Sequence, residues 1–284
     1  MQDDQADDLS LGDVFPEPPR PPTPPPTFAT YTRSTHKSIE NLTLPDLKIR
    51  LVGSHPLWAH YLWNAALALA SYIDSNPEIA HNCCVLELGA GGGLPGLVAA
   101  QNGATKVVST DYPESALIDN LKFNMRQNLT LDEQDRVDTQ GYIWGHSVDD
   151  IMRALPDTTD ASNPGFHLII LSDLIFNHSQ HDALLKTCDM CLASRSTSDN
   201  ASVEPCVLVF YSHHRPHLAD RDLGFFRKAQ AAGWACEEIV TRRYPPMFPE
   251  DPGEEEVRAT VHGWRMTRGA SAIFFTKISD LADK

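Results

Sequence analysis

The sequence predicts an α/β fold built on a doubly wound, mostly parallel seven-stranded sheet of the Rossmann-like type, with a disordered proline-rich N-terminal tail. Strand-like runs alternate with helical runs through the middle of the chain, as they do in such sheets. The run 167–172 is almost continuously apolar, which is typical of a parallel strand buried on both faces. A glycine-rich turn follows the strand-like run 83–88, at the end of a strand where such sheets bind ligands.

The predicted elements follow one another in a regular order. Residues 48–52 form a short predicted strand, and the alanine- and leucine-rich segment 57–73 forms a helix that leads into the strand at 83–88. Beyond the glycines, the pattern predicts helices at 94–101, 114–128, 180–194 and 220–232, and strands at 106–110, 137–143, 167–172 and 206–211.

The two ends of the chain differ from this regular middle part. In the segment 15–27, eight of thirteen residues are proline, a composition that cannot form a helix and favours extended polyproline II. We therefore expect order to begin near Tyr31. Near the C-terminus a strand is predicted at 235–241, while 257–267 and 272–277 compete to be the last strand.

The charge of the chain restricts the classes of partner. The formal net charge is −15, and part of it is concentrated in four aspartates among residues 1–8 and in the run 254–256. A nucleic-acid surface needs clustered Lys and Arg, so we expect no nucleic-acid partner. A basic partner would be attracted instead.

Targeting signals and metal sites are not evident in the sequence. The chain begins Met-Gln-Asp-Asp, with two acidic residues where a signal peptide would be basic, and no apolar stretch approaches the ~20 residues of a membrane span. We expect a soluble, cytoplasmic protein without a membrane partner, and a monomer, since no extended apolar seam is present. The six cysteines are then expected to be reduced. Cys188 and Cys191 have the spacing of a metal site but no second pair nearby, so we interpret them as core residues and expect no metal.

The segment that follows the strand at 83–88 suggests a cofactor. Gly89, Gly91 and Gly93 stand where the chain must turn tightly and where backbone N–H groups can approach a ligand. Asp111 lies 22 residues after Gly89, at the end of the next predicted strand, where a carboxylate suits the two hydroxyls of a ribose. Together these residues predict a pocket for an adenosine-containing cofactor. The alternative is a glycine-rich turn that binds nothing.

The identity of that cofactor depends on the register of the glycines. A dinucleotide fingerprint that starts at Gly89 would need glycine or alanine at position 94, where Leu94 stands, although a register that starts at Gly91 satisfies the pattern. The strand ends at Leu88, so the tight turn belongs at Gly89. Glu87, two residues before that glycine, is typical of S-adenosylmethionine-dependent methyltransferases. An NAD-dependent oxidoreductase remains an alternative, but the sequence has no Tyr-x-x-x-Lys or similar motif for hydride transfer.

Further candidates stand at the carboxyl ends of the other predicted strands. Trp144 follows the strand at 137–143 and either lies against an adenine ring or is an ordinary half-buried aromatic residue. Asp173 follows Ser172 at the end of the strand at 167–172 and either orients an attacking amine or caps the next helix. Several histidines are candidate substrate-side residues rather than metal ligands, namely His178, His181, His213, His214 and His217.

Taken together, these segments resemble the seven-β-strand class I methyltransferases that modify protein lysines. They resemble more narrowly the fungal family that methylates the N-terminus and an adjacent lysine of translation elongation factor 1A. The matching segments are 50–53, 56–58 with 62–64, 85–95, 108–113, 141–145, 168–178, 212–216 and 246–248.

The resemblance has implications for the site and for the limits of the domain. It implies S-adenosylmethionine as the cofactor, held by Trp63, Glu87, Gly89, Ala90, Gly91, Asp111, Trp144 and Ser172. It implies that Asp173 and Phe176 form the acceptor-side motif, although Phe176 stands where the wider family often has tyrosine. It also favours 257–267 as the last strand, which divides the chain into a tail at 1–30, a methyltransferase domain at 31–267 and a C-terminal tail at 268–284.

The function that the resemblance implies is methylation of the N-terminal α-amine and a nearby lysine of translation elongation factor 1A. One alternative is a small-molecule amine N-methyltransferase of the nicotinamide type. A second alternative is a non-catalytic cofactor-binding interaction module whose proline-rich leader recruits partners.

Overall fold

A seven-stranded sheet lies at the centre of the fold. The computed structural model describes residues 24–33, 46–156, 164–194 and 204–269. Within these ranges the strands are β1 Thr27–Thr32, β2 Asp46–Leu51, β3 Cys84–Leu88, β4 Lys106–Asp111, β5 Val137–Gly141, β6 Leu168–Ser172, β7 Cys206–Ser212, β8 Trp234–Arg243 and β9 Thr260–Arg268. The α-helices are α1 Asn64–Ser75, α2 Leu94–Gln101, α3 Ser115–Asn128, α4 Leu131–Gln134, α5 Asp149–Arg153, α6 His181–Cys191, α7 Ala219–Ala231 and α8 Glu255–Ala259.

The order of the strands reverses direction at β3. The large sheet has the order β5-β4-β3-β6-β7-β9-β8, while β1 and β2 form a separate two-stranded sheet. Strand β9 is antiparallel to both β7 and β8, whereas the neighbours from β5 to β7 pair in parallel. Because β4 and β6 flank β3 on opposite sides, the connections diverge at its carboxyl end and leave room for a ligand. The predicted doubly wound, mostly parallel seven-stranded sheet is confirmed.

Apolar side chains of the sheet alternate between two cores, one on each face. Val85 and Val107 pack in one core with residues of α1, α2 and α3. Leu86 and Val108 pack in the other with residues of α6 and α7. Successive side chains of a strand point to opposite faces, so a nearly continuous apolar run fills both cores. The strands are thus held rigidly, and so are their carboxyl ends.

A ladder of asparagines joins the small sheet to the glycine loop. On α3, Asn124 accepts a hydrogen bond from the backbone N–H of Arg50 in β2 (2.8 Å). Its amide donates to the carbonyl of Gly92 in the glycine loop (2.9 Å). One turn further along the helix, Asn128 accepts from the backbone N–H of Lys48 (2.8 Å). Side chains four residues apart lie on one face of a helix, so one face of α3 holds both β2 and the loop.

Several boundaries differ from the sequence-based predictions, most by one to three residues, and three of the differences concern the site or the tail. The helix predicted at 57–73 begins only at Asn64. The preceding residues form turns instead, with Trp58 at a φ of 62°, which a right-handed helix cannot contain. The strand predicted at 137–143 ends at Gly141, where the chain turns towards Trp144. Strand β1 begins at Thr27, within the predicted tail 1–30, and pairs antiparallel with β2.

The last strand of the sheet is β9, Thr260–Arg268, which follows the short helix α8. This agrees with the placement that the family resemblance favours, with the start moved by three residues. The competing segment 272–277 lies outside the described residues. So do residues 1–23, which contain most of the proline-rich segment, and the C-terminal tail from residue 270 onward.

Three further features of the described residues concern membrane-spanning helices, metal sites and cysteines. No helix in this part of the chain is long and apolar enough to cross a bilayer. In the same residues no group of three or more His, Cys, Asp or Glu side chains is arranged to hold a metal ion. Cys188 and Cys191 are free thiols buried in the apolar core, as predicted.

Candidate active site

The glycine loop after β3 leaves open space beside its backbone. Gly89 and Gly91 have φ values of 59° and 53°, which glycine adopts with little strain. A Cβ at Gly89 would stand 2.7 Å from Leu174 Cδ2 and 3.0 Å from Trp144 Cζ2, whereas a Cβ at Gly91 would meet nothing within 4 Å. The loop is therefore packed against side chains at Gly89 and open to a ligand at Gly91.

Asp111, the last residue of β4, is fixed to this loop. Its Oδ2 accepts a hydrogen bond from the backbone N–H of Gly91 (2.7 Å), and its Oδ1 accepts from the N–H of Tyr112 (2.7 Å). Burial raises the pKa of Asp111, and the two backbone hydrogen bonds oppose that rise. Each oxygen keeps a second lone pair that can accept from a ligand hydroxyl. The structure therefore brings Asp111 and the glycine loop together.

Glu87 lies within the protein rather than at the open side of the loop. It is 1% exposed, and its carboxylate accepts from Ser109 Oγ of β4 (2.7 Å) and from the N–H of Gly96 in α2 (3.3 Å). Burial raises its pKa to about 7, against the lowering effect of these two hydrogen bonds. Glu87 thus connects β3 with β4 and with the helix after the loop.

The two predicted tryptophans have different surroundings. Trp144 is partly buried, packs against the core and stands beside Gly89. Trp63, the residue before α1, has its ring 4.9 Å from that of His214, 5.5 Å from that of Tyr61 and 6.0 Å from that of Phe248. Trp63 therefore belongs to an aromatic cluster close to the end of β7, while Trp144 packs against the glycine loop.

Asp173 stands at the carboxyl end of β6 in a strained conformation. Its φ is 57°, unusual for a residue other than glycine, and its N–H donates to the carbonyl of Phe210 (2.7 Å). The side chain pairs with Nε2 of His214 through Oδ2 (2.9 Å), across 41 residues of sequence. The next helix, α6, has Gln180 at its N-cap position, so Asp173 does not cap it.

Buried polar atoms without a partner collect at this point of the fold. Among the described residues, Ser172 Oγ, Asp173 Oδ1 and Ser212 Oγ are buried and have no hydrogen-bond partner. They belong to the ends of the adjacent strands β6 and β7, which pair between Ser172 and Phe210. A buried polar atom without a partner costs ~1–3 kcal/mol, so such a cluster is typical of a site that a polar ligand completes.

Three exposed aromatic side chains stand on segments that adjoin the candidate site residues in sequence. Phe176 follows Asp173 on the same loop and is 43% exposed. Trp58 and Tyr112 also expose large apolar side chains, on the segment before α1 and directly after Asp111. Exposed aromatic side chains near a polar pocket are typical of surfaces that bind another molecule.

His214 is a site residue whose pairing the sequence did not reveal. Burial lowers its pKa, but the negative charge of Asp173 and its hydrogen bond to His214, together with the charges of Asp222 and Asp251, outweigh burial and raise the pKa above its ordinary value. Sequence reasoning selected His214 by its position after β7 and left its partner open. The carboxylate stands at the end of another strand, and only the order of the strands brings the two together.

The chain matches a family model described as lysine methyltransferase over residues 44–231. That range includes the glycine loop, Asp111, Asp173 and His214. The structure also superposes on Pyrococcus horikoshii TYW2, solved in complex with MeSAdo, with a TM-score of 0.45 at 14% identity over 78% of this chain and 69% of that chain.

Three relatives carry the same description, protein N-terminal and lysine N-methyltransferase. The protein of Cryptococcus neoformans is 46% identical over 94% of this chain and 91% of its own length. That of Schizosaccharomyces pombe is 47% identical over 78% of this chain and 82% of its own length. That of Kluyveromyces lactis is 40% identical over 91% of this chain and 97% of its own length. The chain therefore belongs to the lysine methyltransferase family, as an S-adenosylmethionine-dependent enzyme related to these N-terminal and lysine N-methyltransferases.

Proposed function

We propose that this protein methylates the N-terminal α-amine and a nearby lysine of translation elongation factor 1A. The observation that carries the proposal is the unpartnered Oδ1 of Asp173, buried beside two unpartnered serine hydroxyls at the ends of β6 and β7. A carboxylate oxygen in such a place suits an amine that brings N–H donors. The names of the relatives support protein amines as the acceptors.

The residues at the glycine loop fit S-adenosylmethionine, which supplies a methyl group bound to a positively charged sulfur. The Asp111 carboxylate keeps lone pairs for the two ribose hydroxyls, and the open backbone at Gly91 admits the ligand. We propose that the cofactor is held by Trp63, Gly89, Ala90, Gly91, Asp111, Trp144 and Ser172. We assign Glu87 a supporting role, because its carboxylate is already engaged by Ser109 and Gly96.

The two proposed acceptors make different demands on the site. A methyl group is attacked only by a neutral amine. An α-amine with a pKa of ~7.7–8 is tens of per cent neutral near neutral pH, whereas a lysine at ~10.4 is ~0.1% neutral. The lysine therefore depends more on a group that accepts its proton or passes it to solvent.

Asp173 is the group that we propose for this task. His214 occupies Oδ2 and fixes the orientation of the carboxylate, which leaves Oδ1 free to accept a hydrogen bond from the amine. The negative charge attracts a cationic amine but also raises the pKa of that amine, so binding and deprotonation oppose each other. We therefore expect the rate to come mainly from alignment of nitrogen, methyl carbon and sulfur. Phe176, on the same loop, would pack beside the acceptor.

Mass spectrometry of elongation factor 1A tests this proposal. The recombinant factor is incubated with this protein and S-adenosylmethionine, and the intact protein and its peptides are weighed. Methyl additions on the N-terminal peptide and on one nearby lysine are expected, and an Asp111→Ala enzyme should give neither. If the enzyme binds the cofactor but leaves the factor unmodified, the proposal that elongation factor 1A is the substrate would be refuted.

The same assay separates the alternatives. Suppression of protein methylation by excess nicotinamide, with nicotinamide itself methylated, would indicate a small-molecule enzyme. Cofactor binding without transfer to any amine would indicate a non-catalytic module. In keeping with the proposed substrate, we also propose a monomeric, cytoplasmic enzyme. Its methyltransferase domain, predicted at 31–267, would extend to include all of β1 from Thr27 and all of β9 to Arg268.

A further inference from the structure

Asp222 on α7 is a buried carboxylate that the proposed chemistry does not use. Its residue is 4% exposed, and both of its oxygens are engaged by histidines. Oδ1 pairs with Nε2 of His178 at 2.6 Å, and Oδ2 pairs with Nδ1 of His213 at 2.7 Å. An ionised carboxylate accepts only, so both imidazole nitrogens must donate to it. Short bonds to a charged group are among the stronger hydrogen bonds in proteins.

The two histidines belong to the two loops that carry the acceptor side of the site. His178 begins the 3-10 helix His178–Gln180, two residues after Phe176. His213 follows β7 directly and precedes His214. Asp222 therefore joins the loop after β6 to the loop after β7 from the side of α7.

The two hydrogen bonds of Asp222 and the pair between His214 and Asp173 form a closed ring of contacts. From Asp173 the ring follows the loop after β6 to His178, crosses Asp222 to His213, and returns through His214 to Asp173. A second anchor holds the loop after β6, because Nε2 of His181 donates to the carbonyl of Ile175 at 2.6 Å. No comparable second anchor from a side chain reaches His213 among the hydrogen bonds of the described residues. The loop after β7 is held by two side-chain pairs, His213 with Asp222 and His214 with Asp173.

We propose that Asp222 is a positioning residue for methyl transfer, which sets the separation of the Asp173–Phe176 loop from the His213–His214 loop. It touches no reacting atom, and it holds the two loops through its hydrogen bonds with His178 and His213. The inference rests on the proposed role of Asp173 at the acceptor. An error of about 1 Å in the placement of a reacting group can lower a rate ~10²-fold, so a residue that fixes both loops should affect turnover strongly.

The test compares two substitutions on the same helix. Asp222→Asn keeps the shape of the side chain but offers one acceptor oxygen, so one imidazole must lose its bond or change tautomer. Asp220→Asn is the matched control, because Asp220 is exposed and pairs with Arg227 on the surface. For each enzyme we would measure kcat, the acceptor KM, the cofactor Kd by calorimetry and the melting temperature.

We expect Asp222→Asn to lower kcat ~10-fold to 10²-fold, with the cofactor Kd within about twofold of the wild-type value. Asp220→Asn should match the wild type in both. A kcat of Asp222→Asn within about twofold of the wild-type value would overturn the proposal. A cofactor Kd that weakens in proportion to the loss of kcat would also overturn it, because Asp222 would then act on the cofactor side.

Nitrogen-15 NMR of the imidazoles tests the ring without any acceptor and so separates this inference from the proposed substrate. Protons are expected on Nε2 of His178 and on Nδ1 of His213. In Asp222→Asn the resonances of His214 should shift as well, although His214 makes no bond to Asp222. Unchanged His214 resonances would contradict coupling between Asp222 and the site, whether or not elongation factor 1A is methylated.

Discussion

Removal of the Asp111 carboxylate should abolish most of the cofactor affinity. In the structure this carboxylate accepts two backbone hydrogen bonds of 2.7 Å, from Gly91 and Tyr112, so its orientation is fixed before any ligand arrives. Two ribose hydroxyls that donate to an ionised carboxylate contribute ~1.5–3 kcal/mol each, or ~3–6 kcal/mol together. Since ~1.4 kcal/mol is a factor of ten, Asp111→Ala should raise the cofactor Kd ~10²-fold to 10⁴-fold.

Isothermal titration calorimetry with S-adenosylmethionine and with S-adenosylhomocysteine measures this directly. Asp111→Asn should fall between the wild type and Asp111→Ala, because an amide keeps one acceptor oxygen. Asp119→Ala, which removes an exposed carboxylate from α3, is the control and should leave the Kd unchanged. A folded Asp111→Ala protein whose Kd is within about fivefold of the wild-type value would refute the assignment of Asp111 to the ribose.

Two further predictions concern the glycine loop and the carboxylate that supports it. Gly91→Ala places a methyl group at a φ of 53°, in the open space that the cofactor would occupy, so it should cost ~1–2 kcal/mol of stability and weaken cofactor binding. Denaturant titration would measure the loss of stability, and calorimetry would measure the cofactor Kd. An unchanged Kd would show that the cofactor does not bind beside Gly91. Burial raises the pKa of Glu87 to about 7, so the folded state binds its proton more tightly than the unfolded state does. The stability that this proton provides is lost as the pH rises from about 4.5 to about 7. The melting temperature of the wild type minus that of Glu87→Gln should therefore decrease between pH 5 and pH 8. A difference that stays constant over this pH range would contradict the prediction.

Much of the sheet could be predicted because its signals are local. The apolar run of β6 and the glycines after β3 each depend on neighbouring residues alone. Strand β1 was not predicted, although alternation in Thr27–Thr32 was visible, because it follows a proline-rich segment and pairs with β2 across residues 33–45. The start of α1 was also predicted wrongly, because the prediction used local composition alone. The composition of 57–63 favours a helix, but Trp58 has a positive φ, which that composition does not indicate.

The candidate site was predictable in position but not in its pairings. The rule that ligands bind at the carboxyl ends of strands selected Asp111, Asp173 and His214 from the sequence. The bonds of His214 to Asp173 and of His178 to Asp222 span 41 and 44 residues. No spacing pattern encodes contacts of that kind, since they depend on which strands become neighbours in the sheet. Only the folded structure shows that the β6 and β7 loops share one network.

The most direct test of the account is the single-turnover rate of Asp173→Asn with a saturating cofactor and an N-terminal peptide of elongation factor 1A. Loss of a hydrogen bond to a charged group costs ~1.5–3 kcal/mol, which predicts a rate ~10-fold to 10²-fold below that of wild type. The cofactor Kd should stay unchanged, because Asp111 and Gly91 are not altered. A wild-type rate in Asp173→Asn would contradict the central claim that the free oxygen of Asp173 binds the acceptor amine.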